Sequence, residues 1–517
     1  MATTTQIVGT IALASVALVM LANVFLSPKF DPREPPVLRP TIPFVGHIIS
    51  LLRRGPLFLR ELSTTCKHPV FTLPMMNSRT YIVASPEFAS HVQRASSTLD
   101  FGQLLVEMAP RMVGLSAEGK AILEGREAIQ EGRERMIEQA HHVINPRLFP
   151  SDMEGIGSSQ LQQFNAHFHS LADGLETELY RLTTRLVTVA TQHTFFGPEN
   201  PFAMDPSLIE DFWTWESGII GYMMGILPQW TVRDAYRGLE KCTSAFMEYA
   251  KKGRYVQASR LIRDRQQLHE SNGVSLEDQA RLEVAISMGF NVNAGISTFW
   301  VVNNIFSRPS LLVEIREEIA AHAVTAPKTI SFAKLRDACP LLNSVYRETL
   351  RNTANLTSAR WVKADTLIAD TYLLKANTVV QIAGPIIHTD AATWGSDALS
   401  FNPRRFIHNL SGTKSLPDGT IPPTATKQNN VHPAAFRGFG GGSTLCPGRH
   451  FAQMEIICMT ALLVMGWELG PVAGEKAVGW NPERDDAKFT IAVTKPVSEV
   501  RVKMERREKS ARWEVCY

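Results

Sequence analysis

A mainly helical protein with a minor β region, built as a single large domain behind an N-terminal transmembrane helix, is what this 517-residue sequence predicts. Three observations carry that expectation. Apolar residues recur at three- and four-residue spacing through most of the stretch from Pro86 to Arg351, the period of helices with one buried face. Strand-like runs are few and short. Ile7 to Leu26 is a run of 20 residues without a charge, which at ~1.5 Å per residue spans a hydrocarbon core of ~30 Å.

Taken in order, the anchor comes first. A cleaved signal peptide is the alternative, but Met1 to Gln6 carries no basic side chain and the apolar run is long for one. Lys29, Arg33 and Arg39 follow the span, so the remainder of the chain is expected in the cytosol. Pro32 to Pro43 holds five prolines in twelve residues, a stiff extended spacer. The expected division is an anchor over 1–28, a proline-rich hinge over 29–45 and a catalytic domain over 46–517. Val70 to Leu73 and Tyr81 to Ala84 suggest an early sheet; Thr378 to Ile382 and Phe489 to Thr494 suggest later strands. Leu282 to Phe306 reads as a long helix stopped by Pro309, followed by helices over Leu311 to Ala321 and Phe332 to Arg351, the latter broken by Pro340. Leu416 to Gly448 is crowded with glycine and proline and reads as a long irregular passage, ahead of an apolar helix over Phe451 to Trp467.

Composition narrows the function. The chain is 44% hydrophobic and 20% charged, enough for a sizeable core, and its net charge of +3 gives no nucleic-acid footprint. Its six cysteines are scattered without the paired spacing of zinc or redox dithiol sites, and read as reduced thiols. Cys446 alone has unusual surroundings, Phe436 to Ala452, FRGFGGGSTLCPGRHFA. Its glycines permit positive φ and close approach of backbone to a flat ligand. Amides at the start of the following helix can stabilise a thiolate. A buried cysteine in an ordinary turn is the plain alternative.

The run Phe439-Gly-Gly-Gly442-Ser-Thr-Leu-Cys446-Pro-Gly448 resembles the haem-binding signature of the cytochrome P-450 superfamily, F-x-x-G-x-x-x-C-x-G. Upstream, Glu348-Thr-Leu-Arg351 resembles its E-x-x-R helix motif, and Pro403-Arg404-Arg405-Phe406 its P-x-R-F motif, with His388-Thr-Asp390 and Trp394 as lead-in. The resemblance covers roughly Pro32 to the C-terminus. It implies haem b with Cys446 as axial ligand, contacts from Phe439, Gly442 and Gly448, and a buried ion-paired support of Glu348, Arg351 and Arg405. It also implies electrons from NADPH through an NADPH-cytochrome reductase or a cytochrome b-type donor, a lipophilic substrate, and a single-pass location in the endoplasmic reticulum membrane.

Asn293-Ala-Gly295-Ile-Ser297-Thr298 resembles the family's oxygen-activation motif, in which a local break in helical bonding makes room for O₂. Thr298 matches; Ser297 stands where an acid is usual, so Thr298, Ser297 and Asn293 are the expected proton relay. A buried helix with ordinary hydroxyl back-bonding is the alternative. Asn293 and the T-x-C-P-G-R run look like the sterol 7α-hydroxylase and prostacyclin synthase branch. Thr444 replaces the basic residue usual two places before the cysteine, and no tryptophan lies between Leu104 and Phe212 to form a W-x-x-x-R motif. Arg360 is the expected propionate partner, with Arg133 or Arg135 behind it, although a surface role is the default for these two. Three functions compete: a monooxygenase acting on a terpenoid, steroid or other secondary metabolite; a reductase-independent isomerase or lyase rearranging a peroxide; and a non-catalytic membrane protein.

Overall fold

Ser275 starts the longest helix. Its hydroxyl accepts the Asp278 amide at 3.2 Å, and Glu277 and Asp278 place negative charge in the first turn. The computed structural model describes residues 17, 28–40, 42, 45–354, 357–407, 431–488, 493–510 and 512–517. Five helices frame the site: α1 (Pro86–Arg94), α2 (Leu179–Phe196), α3 (Leu276–Phe306), α4 (Pro340–Thr353) and α5 (Arg449–Gly466). α3 begins six residues earlier than its apolar pattern does, because the Ser275 cap precedes a polar first turn. Pro340 separates a helix over Phe332–Ala338 from α4, as expected.

α3 is the centre of the molecule, packed by α2, Arg233–Lys251, α4 and α5. Every residue from Ala294 to Phe306 is buried, so this part of the helix is enclosed on all sides. It is therefore long and apolar enough to cross a membrane by composition, yet it is core. Gly295 permits the approach of α2: a methyl there would lie 3.1 Å from the Thr184 Cα.

The main sheet has five strands, β1 (Val70–Met75), β2 (Ser78–Val83), β3 (Leu99–Asp100), β4 (Thr357–Val362) and β5 (Thr378–Ala383), in the order β1-β2-β5-β4-β3. β1 and β2 form an antiparallel hairpin with Val70 opposite Val83. β5 joins β2 in parallel, Val379 opposite Thr80, and pairs with β4 antiparallel, Val380 opposite Arg360. Residues from the proline-rich stretch lie along β1: the Leu38 amide donates to the Thr72 carbonyl at 3.0 Å, and buried Glu34 accepts from Arg79 and the Tyr81 hydroxyl.

Of the strand expected over Phe489 to Thr494, residues 489–492 lie outside the described residues, and Val493 forms an isolated bridge with Ala354. The span from Ile7 to Leu26 lies outside them too, apart from Ala17, as does 408–430 of the irregular passage. A second sheet joins Trp467–Gly470, Arg501–Arg506 and Leu175–Glu178, whose polar alternation carries no strong strand signal.

Candidate active site

Helical geometry puts Glu348 and Arg351 on one face of α4, and both are buried. The pair is bidentate: Arg351 Nε reaches Glu348 Oε2 and Nη2 reaches Oε1, both at 2.8 Å. Arg405 arrives from the segment after Phe401, and its Nε lies 3.1 and 3.0 Å from the two carboxylate oxygens. Asp397 accepts from Arg405 at 3.0 Å, giving two cations and two carboxylates. Remaining donors are spent on backbone: Arg351 on the Ala398 and Ser400 carbonyls, Arg405 on those of Trp394 and Asp397. The network thus sews the 388–406 segment onto α4.

His388 continues that seam to the cysteine loop. Burial and the nearby guanidiniums hold its imidazole far below the usual range, at about 3, so it is neutral, and its Nε2 accepts the Arg437 amide at 2.8 Å. The loop then closes on itself: Gly440 donates to the Arg437 carbonyl and Cys446 to the Phe439 carbonyl, at 3.1 and 3.0 Å. Gly440 and Gly442 take φ of 75° and 66°, the left-handed region open to glycine. Phe439 packs on the main core. At Cys446 two effects oppose. Burial raises the thiol pKa, while the amides of Gly448 and Arg449, at the start of α5, lower it by donating to sulfur.

Arg360 on β4 is buried, and its guanidinium donates to the Thr444 hydroxyl. Arg437 is equally buried and donates to the Ser358 hydroxyl at 2.7 Å. Burial holds each at about 10, below the usual arginine range, and neither has a carboxylate in ion-pair reach among the described residues. Sequence reasoning passed over Arg437; its signal was a basic residue beside the glycine run. Arg133 and Arg135 already have acidic partners. Arg133 is exposed and paired with Glu131, and Arg135 is already neutralised by Glu138 at 2.6 Å and Asp100 at 3.5 Å. A thiol faced by two amides, beside two acid-free buried cations, fits a flat, dianionic, thiolate-ligated cofactor.

On α3, Thr298 and Ser297 are buried, and the Thr298 hydroxyl donates to the Ala294 carbonyl at 2.8 Å. The helix runs continuously through this stretch, without the expected break, and the Thr298 hydroxyl back-bonds to the carbonyl one turn before it. The Asn293 side chain accepts the Val493 amide at 3.3 Å. Asn291 was missed. It is fully buried, both its amide atoms lack partners among the described residues, and it lies seven residues before Thr298 on the same face. α3 and α4 are joined by Asn304 and Thr349 at 3.1 Å, but no hydrogen bond links the Thr298 side chain to the cysteine loop among the described residues.

A family model described as Cytochrome P450 matches residues 250–478, which include α3, α4 and the cysteine loop. Similar proteins include the cytochrome P450 monooxygenase nodJ of Hypoxylon pulicicidum, 28% identical over 94% of this chain and 92% of the relative. A cytochrome P450 monooxygenase of Gibberella zeae is 26% identical over 98% and 94%. Cytochrome P450 7B1 of Mus musculus is 20% identical over 91% and 93%. The likeness to the sterol 7α-hydroxylase branch is thus more distant than that to fungal monooxygenases.

Proposed function

We propose that this chain, a haem-thiolate oxidoreductase of the cytochrome P450 superfamily, is a membrane-anchored monooxygenase that oxidises a lipophilic secondary metabolite of terpenoid or steroid type. The observation that carries the reading is the Cys446 sulfur facing the Gly448 and Arg449 amides at the start of α5, with Arg437 on the same loop and Arg360 reaching it from β4 through Thr444. Haem, when bound, supplies the electron and O₂ chemistry. Cys446 would be its axial ligand, the two amides limiting charge on sulfur. Phe439, Gly442 and Gly448 would shape the loop against the ring, and Arg360 would meet a propionate. Glu348, Arg351 and Arg405 would hold that loop in register without touching substrate.

On the other side, the Thr298 hydroxyl donates to the Ala294 carbonyl and can accept a hydrogen bond from water; turned from that carbonyl, its O–H would pass its proton inward as the water replaces it. Ser297 and Asn293, with Asn291 on the Thr298 face, would order the water that an acid serves in the family pattern. Residues 1–28 would anchor the chain, 29–45 act as hinge and 46–517 form the catalytic domain. A cytosolic domain on the endoplasmic reticulum would take electrons from an NADPH-cytochrome reductase. Ile226, Leu227 and Trp230, 60%, 61% and 78% exposed in the turn after Leu208–Met223, support contact with the lipid surface and entry of an apolar substrate. The names of the fungal relatives support the reaction class.

Reductase-supplemented membranes fed terpenoid and steroid substrates test the proposal. A thiolate-type CO difference spectrum and product formed only with NADPH are expected. Product from a peroxide substrate without reductase would replace it with the isomerase reading that Ser297 favours.

A further inference from the structure

The cysteine loop has Thr444 where the resembling family carries a basic residue, yet the fold brings two arginines to the same place. Ser358 and Arg360 are two apart on β4 and so share one face of the sheet. Arg360 donates to Thr444 and Arg437 donates to Ser358, so both guanidiniums are fixed on that face. The Arg437 amide is held independently by His388 Nε2. Among the described residues its Nε has no acceptor, and its Nη1 stands 2.7 Å from the point a Cβ on Gly441 would occupy. The amide nitrogen of Gln93, from α1, meets that same point and is likewise buried without an acceptor.

Two buried cations side by side repel each other, and unpaired buried donors are costly, so the cluster is incomplete without negative oxygen. We propose that Arg437 and Gln93 together bind one haem propionate, replacing the basic residue absent at Thr444, while Arg360 and Thr444 bind the other. The assignment rests on the haem reading above and adds which side chains hold the carboxylates. Two carboxylates match two guanidiniums, and a planar fork suits each.

Haem transfer from the detergent-purified full-length holoenzyme to excess apomyoglobin measures the grip directly, without turnover. Arg437→Met and Gln93→Leu should each speed haem loss, Arg437→Met by about ten-fold or more, the scale of a lost charged hydrogen bond. Arg437→Lys should recover part of the grip, and Arg133→Ala should match wild type. Wild type loaded with haem dimethyl ester, which blocks both carboxylates, should lose its cofactor at least as fast as Arg437→Met, and Arg437→Met should respond less to esterification than wild type does. Wild-type rates in both Arg437→Met and Gln93→Leu, or full additivity of esterification and substitution, would overturn the assignment. If Arg437→Met does not fold, Gln93→Leu and the ester decide. Absence of a thiolate haem spectrum in wild type would instead remove the functional reading beneath it.

Discussion

At the scale of single residues, three side chains make separable predictions. Cys446→Ser should lose the thiolate-type CO spectrum and all activity, while the other five cysteines are individually replaceable with haem retained. Thr298→Ala should consume NADPH at a comparable rate but divert much of it to hydrogen peroxide, read as product per NADPH; an unchanged ratio rules out the relay. Glu455, on α5, concerns stability. Its Oε1 accepts from Thr191 and Gln160, each at 2.6 Å, but burial outweighs both and lifts its carboxyl to about 8. A carboxyl with a raised folded-state pKa binds its proton more tightly when folded, so its contribution is greatest at low pH. That contribution falls as pH rises from 4.5 towards 8. Glu455→Gln keeps the shape and removes the titration, so its Tm advantage over wild type should widen across that window; a constant offset counts against the assignment. Legibility at this scale depended on locality. Cys446, Glu348 and Arg351 sit in short runs whose meaning is carried within a few residues. Arg437 and Gln93 acquire theirs only when segments far apart in the chain meet at Gly441. Asn291 looked like any polar residue on a helix until its burial without partners was visible.

Among the elements, α4 and α3 carry most of the construction. Removing Glu348 leaves the buried Arg351 guanidinium without its carboxylate and Arg405 with Asp397 alone, typically a loss of ~3–5 kcal/mol. Glu348→Ala, Arg351→Ala and Arg405→Ala should each abolish haem incorporation, with strongly non-additive effects. Haem-replete Glu348→Ala with only altered kinetics would contradict this. The helix crossing at Gly295 gives an independent case. Gly295→Val would drive methyl groups into the Thr184 backbone 3.1 Å away, costing ~1–3 kcal/mol in thermal or urea unfolding; a neutral result would mean α2 can shift aside. The apolar pattern announced α3, the break at Pro340 and the strands of the main hairpin. It understated α3, whose first turn is polar and capped. The Leu175–Glu178 and Arg501–Arg506 strands were missed because the first has no fully buried side chain and the second buries only Val502 and Met504, and their pairing is fixed by distant partners.

For the whole molecule, the membrane is the outstanding expectation. Full-length protein should resist carbonate extraction and need detergent, and deletion of 1–28 should leave a folded domain still attached to lipid. Trp230→Asp in that truncated protein should release it, measured by vesicle flotation; undiminished flotation would point to another surface. The main sheet has a different consequence. Thr80 pairs with Val379, so the early hairpin is joined to its neighbour only after most of the chain exists. At ~5–20 residues per second, synthesis of the intervening chain takes roughly 15–60 s. Throughout that interval the edge of β2 has no strand beside it, and the face destined to carry Arg360 has not been made. The ribosome therefore delivers this protein as an unfinished structure, and the order of translation makes capture of its cofactor one of the last events of its birth.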